Sequence, residues 1–281
     1  MNSDIFQLPV YKTETVLSSI DALLEVVDPD AKGGQTRRAR FFAFLNKALK
    51  VPVPHDLAHD RPLLIARPGN PDEEKLLRTL MGKGSTADVA TVLFDADEAA
   101  LSEDRINEAL DRIATLYPET YRGITAVVGA FVFARVKGYG GGTSSDAIGV
   151  IWCGMQNPAA DVDDYVELIL HEYMHQCLFI DDLCHRIFRY SMKVLEDYPA
   201  RSAILNRERP LDKAYHSAFV AYILMRHRRH TSGRPLEYMD TTRNCLLSTR
   251  AQAAGLTAHG RARLGELEAG FAQLEQEQAV T

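Results

Sequence analysis

Residues 161–178 constrain the fold more than any other stretch. Asp161, Asp163 and Asp164 precede Val166, Leu168, Ile169 and Leu170, and then comes His171-Glu172-Tyr173-Met174-His175. Acidic residues ahead of an apolar periodic run suit a helix N-terminus, where they meet the positive end of the helix dipole. The segment predicts a helix from about Val162 to at least Leu178. The two histidines are spaced i and i+4, so both imidazoles leave one face, a turn apart. Two such imidazoles can meet one divalent ion at about 2.1 Å each. The Glu between them lies where it can take a proton from metal-bound water.

Two histidines leave a metal site incomplete. Asp181 follows His175 by six residues, but Leu178 stands where a glycine would make the turn toward it. His185 lies off the motif's face if the helix continues. Glu196 and Glu208 are further candidates, as carboxylate ligands on a following helix. His216 is the preferred third ligand. Pro210 is expected to open a helix from Leu211 to about Arg226, with Phe219, Val220 and Ile223 on the face of His216. A histidine on a core-directed face is ordinarily just packed. A nearby two-histidine motif without its partner reverses that reading.

The rest of the chain narrows the function classes. Lys and Arg number 32 against 38 Asp and Glu, a net charge of −6, which does not suit a general nucleic-acid binder. The longest apolar stretch, Ile124 to Ala134, is far shorter than the about 20 residues a membrane helix needs. Met1-Asn2-Ser3-Asp4 has no basic segment leading into an apolar run, so no secretory signal is expected. Cys153, Cys177, Cys184 and Cys245 include no CxxC and read as reduced thiols of a cytoplasmic protein.

Further elements are expected along the chain. Pro71 suits a helix start, Val89 to Phe94 a strand, and Ser102 a helix cap. Ile124 to Val136 and Ala147 to Cys153 read as two strands of a hairpin, joined through the Gly-rich segment Gly138 to Gly142. Thr241 to Gln276 reads as a helical segment weakened by glycines. Arg226-His227-Arg228-Arg229-His230 is a basic run, either a dock for an acidic partner or a helix end. The expected fold is α+β and mostly helical, with a small antiparallel sheet beside the HExxH helix. Residues 1–120 are expected to form a mainly helical N-terminal subdomain. Residues 121–281 are expected to form the metal-binding catalytic domain with a helical C-terminal segment.

Three blocks occur in order: Gly141-Gly142-Thr143-Ser144-Ser145-Asp146-Ala147-Ile148-Gly149, then Glu167 to Gln176 followed by Leu178-Phe179, then Arg209-Pro210-Leu211-Asp212 to His216. Together they resemble the HExxH-motif peptide-modification proteins that accompany ribosomally made, modified peptides. The resemblance covers about residues 140 to 225. It implies a zincin-like metal helix with His171, His175 and His216 as ligands. Some members of that group are iron(II)- and 2-oxoglutarate-dependent hydroxylases that oxidise a β-carbon of a peptide residue.

The implied substrate is therefore a peptide, leader-bearing or not, or a carrier-bound amino acid. The oxo acid needs a cation for its distal carboxylate, and Arg209 is the leading candidate, with Arg226 behind it. In this reading Glu172 orients ligands or holds a substrate group. The alternative is a zinc(II) peptidase or hydrolase with Glu172 as general base. A structural metal in a peptide-binding module is a third reading, which lacks the usual closed set of four ligands.

Overall fold

The structure is a computed structural model. It describes residues 8, 11–27, 35–49, 52–56, 61–65, 75–76, 94–134, 140–155, 157, 159–231 and 236–279. The chain is mostly helical with a small sheet, an α+β arrangement. Its packing divides into two units. One lies within Leu17–Gln176, the other within Asp4–Val16 and Cys177–Thr281.

The first unit carries α1 (Thr13–Val27, from Leu17 onward), α2 (Arg37–Ala48), α3 (Ala96–Leu116) and α4 (Pro118–Val127). It also holds a four-stranded sheet of β1 (Leu63–Ile65), β2 (Ala130–Phe133), β3 (Gly141–Gly142) and β4 (Val150–Cys153), in the order β1-β2-β4-β3. β1 pairs parallel with β2, with Leu63 opposite Ala130. β2 pairs parallel with β4, with Ala130 opposite Val150. Only β3 is antiparallel, with Gly142 opposite Trp152.

The expected antiparallel sheet is therefore corrected to a mixed one. β2 and β4 are apolar and buried at every position, the pattern of strands covered on both faces and common in parallel sheets. The link from Ala134 to Gly149 exceeds the roughly dozen residues a parallel crossover requires.

The strand expected from Ile124 is also shorter than the sequence suggests. Pro118 sits at the start of α4, and buried Thr120, Gly123, Ile124 and Val127 recur at helical spacing. That spacing outweighs the β-branched character of Ile124 and Val127, and the strand begins at Ala130. Ser102 lies inside α3 rather than capping it. The cap is Asp95, which forms a reciprocal capping box with Glu98. The strand expected at Val89 lies outside the described residues, except for Phe94. So does the helix start at Pro71, where only Lys75 and Leu76 are described, both helical.

α5 (Val162–His185) is the helix that carries the HExxH motif. Asp161 caps it, its Oδ1 accepting from the Asp164 N–H at 3.0 Å. Arg186 ends it in the left-handed region at φ 57°. Asp182 Oδ1 then accepts from the Ile187 N–H at 2.6 Å.

The second unit is built on α6 (Leu211–Thr231), which starts directly after Pro210 and is buried over most of its surface. A helix so covered is a core element. Packed with it in this unit are the hairpin of β5 (Pro199–Arg201) and β6 (Glu208–Pro210), α7 (Met239–Ala251) and α8 (Ala258–Ala279). The expected C-terminal helical segment is thus two helices, broken at Ala253–Gly255.

Among the described residues, no helix is long and apolar enough to cross a membrane.

Candidate metal centre

α5 presents His171 and His175 side by side. Their ring centroids are 5.2 Å apart, with the planes at 53°. Both residues are half-buried. Glu172 points inward: it is 4% exposed, and its Oε1 lies 3.7 Å from His171 Nε2. Its other oxygen, Oε2, is buried without a hydrogen-bond partner among the described residues. Burial pushes the Glu172 carboxyl up to about 8 and pulls the His171 imidazole down to about 4. At neutral pH His171 is therefore neutral, the form that binds a metal. Below the helix, at the end of β4, burial and the Glu172 carboxylate together push the Cys153 thiol up.

The sequence positions this arrangement through close packing. Tyr165, Val166, Ile169, Leu170, Tyr173 and Met174 bury the inner side of α5. β3 lies against the same helix because its residues lack side chains. A Cβ on Gly141 would come within 2.4 Å of Leu168 Cδ1 and 2.9 Å of the Trp152 carbonyl oxygen. One on Gly142 would come within 2.7 Å of the Trp152 ring. Trp152 is held in turn, its Nε1 donating to the Ala134 carbonyl at 2.5 Å. The glycines at 141 and 142 are thus sites of close approach in an edge strand. Gly138 lies outside the described residues.

Gln176, directly after His175, is a contributor that the sequence reading passes over. It is fully buried. Its Oε1 accepts from the Gly149 N–H at 2.8 Å, and its Nε2 donates to the Val150 carbonyl at 3.0 Å and to Thr143 Oγ1. A lone amide among Met174, Cys177 and Leu178 is the signal that could have marked it, because a buried amide needs partners.

The remaining candidates lie in the second unit. His216 is on α6, 6% exposed, as its apolar face predicts. Its ring packs on Phe179 at 5.2 Å and on Phe188 at 6.2 Å. Burial, with a smaller push from Lys213, lowers its imidazole to about 3. Arg209 is on β6 and half-buried, with no ion pair or side-chain hydrogen bond among the described residues.

Asp181 is already engaged. Tyr11 donates to its Oδ2 at 3.1 Å, and His259 Nε2 lies 2.8 Å from its Oδ1. His185 is exposed, with its ring 4.9 Å from that of His259. Glu196 and Glu208 are exposed, and they are not on one following helix: Glu208 stands on β6. The basic run at the end of α6 is neutralised within its own unit. Arg226 pairs with Glu277 at 2.9 Å and Arg228 with Glu237 at 3.0 Å.

Among the described residues, no three His, Cys, Asp or Glu side chains are grouped to hold one metal ion. The structure brings together His171, Glu172 and His175, which is a two-imidazole core with a carboxylate beside it. No protein-family model matches the chain, and no curated protein matches it.

Proposed function

We propose that this chain is a metal-dependent HExxH enzyme. More specifically, we propose an iron(II)- and 2-oxoglutarate-dependent hydroxylase acting on a peptide or carrier-bound amino-acid residue. The observation that carries the metal is Glu172 Oε2, a buried carboxylate oxygen with no partner among the described residues, beside two half-buried imidazoles on one helical face. Leaving such a group uncompensated is expensive, and a cation next to it removes the penalty.

His171 and His175 hold the metal in this reading, and His216 is the third ligand. Arg209 receives the distal carboxylate of the oxo acid, a role that suits a half-buried guanidinium with no acidic partner among the described residues. Iron(II), when bound, would let dioxygen act as the oxidant: two of its electrons would come from decarboxylation of 2-oxoglutarate to succinate and two from the hydroxylated carbon. Glu172 orients its neighbouring imidazole and balances the charge of the metal. The three ordered sequence blocks support oxygenase chemistry over hydrolysis.

One observation favours a second reading, a zinc hydrolase. The buried Glu172 carboxyl, with its Oε1 3.7 Å from His171 Nε2, stands where it would take a proton from metal-bound water once a bound cation favours its charged form.

The two readings separate in one experiment. The protein is reconstituted anaerobically with iron(II), and oxygen-dependent conversion of 2-oxoglutarate to succinate is measured beside a zinc-loaded sample given a peptide library. Oxo-acid turnover that His171→Ala abolishes is expected. Tight zinc binding and peptide cleavage without oxo-acid turnover would establish the hydrolase instead.

A further inference from the structure

We infer that Gln176 is the positioning residue of the metal centre: its side-chain amide locks the rotation of α5 against β4, and so sets the direction of His171 and His175. The inference rests on the proposed metal site.

The hydrogen bonds of Gln176 have an unusual form. Its amide accepts from the Gly149 N–H and donates to the Val150 carbonyl, on adjacent residues at the start of β4. A side-chain amide thereby takes the place of a neighbouring strand's backbone. Gly149 adopts φ +93°, a conformation that side chains rarely tolerate. The second Nε2 hydrogen goes to Thr143 Oγ1, and Thr143 itself donates to the Val150 carbonyl at 2.9 Å. Both Nε2 donors are used, and the group is fully buried.

Close apolar packing seats α5 on the sheet, but its attraction is non-directional. Directional hydrogen bonds add a preference for one rotation of the helix. Gln176 is adjacent to His175 and sits 100° further round the helix in an ideal α-helix of 3.6 residues per turn, so fixing one residue fixes the azimuth of the other. Groups that orient metal ligands without touching the metal commonly change affinity by about 10–100-fold when removed.

The test uses the full chain and cobalt(II) alone, titrated by its visible absorption. Wild-type protein is compared with Gln176→Met, which keeps the length of the side chain and removes all three bonds. Phe41→Leu, a core truncation on α2, serves as the comparison for lost stability. All samples are measured at a temperature where circular dichroism shows them folded. Gln176→Met is expected to bind cobalt about 10–100-fold more weakly, with an altered visible spectrum. Phe41→Leu is expected to keep both the wild-type affinity and the wild-type spectrum.

An unchanged affinity and spectrum in Gln176→Met overturn the positioning role while leaving the metal site standing. Failure of the wild-type protein to bind cobalt overturns the metal site, and the positioning role with it. If Gln176→Met does not fold, Thr143→Val removes one partner at constant shape. A several-fold loss is then expected, and wild-type binding would refute the inference.

Discussion

Replacing Glu172 by Gln isolates the cost of keeping a carboxyl inside the protein. Glu172 is 4% exposed, and burial moves its pKa from 4.5 to about 8. Between those values, the metal-free folded chain keeps a proton that the unfolded chain has released. The folded state binds more protons, so stability is complete below about 4.5 and is lost as pH rises toward 8. The slope is about 1.4 kcal/mol per pH unit for one group. From pH 5 to pH 7.5 the loss is on the order of 3 kcal/mol. A Gln at 172 has no such slope.

The imidazoles act in the opposite direction. His171 is lowered to about 4 and His216 to about 3. Below pH 6.5 the unfolded chain takes up protons that the folded chain refuses, so stability is lost as pH falls toward those values. The wild-type profile mixes both effects, but the difference between wild type and Glu172→Gln contains only the first. Urea unfolding in EDTA, followed by Trp152 fluorescence and circular dichroism, measures that difference. At pH 5 the two proteins should differ little. At pH 7.5 the variant should have gained on wild type by roughly 3 kcal/mol. Saturating cobalt(II) should close the gap, because an adjacent cation favours the carboxylate. A difference that does not change with pH would refute the reasoning that Glu172 is a buried, uncompensated acid.

Three other outcomes are expected. His171→Ala and His175→Ala should abolish metal binding, and His216→Ala should sharply reduce metal content while leaving the circular dichroism spectrum intact. Full retention of metal in His216→Ala, measured by elemental analysis, removes it from the ligand set. Gly141→Ala should lower stability by about 1–3 kcal/mol in thermal melts, because its Cβ meets Leu168 and the Trp152 carbonyl; an unchanged melting temperature means that β3 shifts freely. Arg209→Met should raise KM for 2-oxoglutarate at least tenfold, as expected for losing a charged hydrogen-bonded pair, without changing metal affinity. An equal KM assigns the anchor to another cation.

The helix Val162–His185 is legible in the sequence because three independent signals agree there. Asp161 caps, Asp163 and Asp164 meet the dipole, and the apolar run keeps one period. The start of α6 after Pro210 and the burial of His216 are legible for the same kind of reason, since each depends on neighbours in sequence. The sheet is less so. Ile124–Val136 carries β-branched residues throughout, yet its first four positions finish a helix whose deciding residue is Pro118, upstream of the run. The direction of pairing depends on where the crossover passes, and no residue of β2 or β4 records that.

Gln176 marks the boundary between the two kinds of information. Its need is visible in the sequence: a primary amide between Met174 and Cys177 on a buried helix face must find donors and acceptors. Its partners are not visible, because two of them are backbone atoms of Gly149 and Val150, and every residue carries the same backbone groups. Only Gly149 leaves a trace, since its positive φ asks for glycine. The motif therefore tells which atoms can bind a metal. The long-range backbone contacts decide whether those atoms point in one direction, and they can be found only once the strand and the helix have been placed side by side.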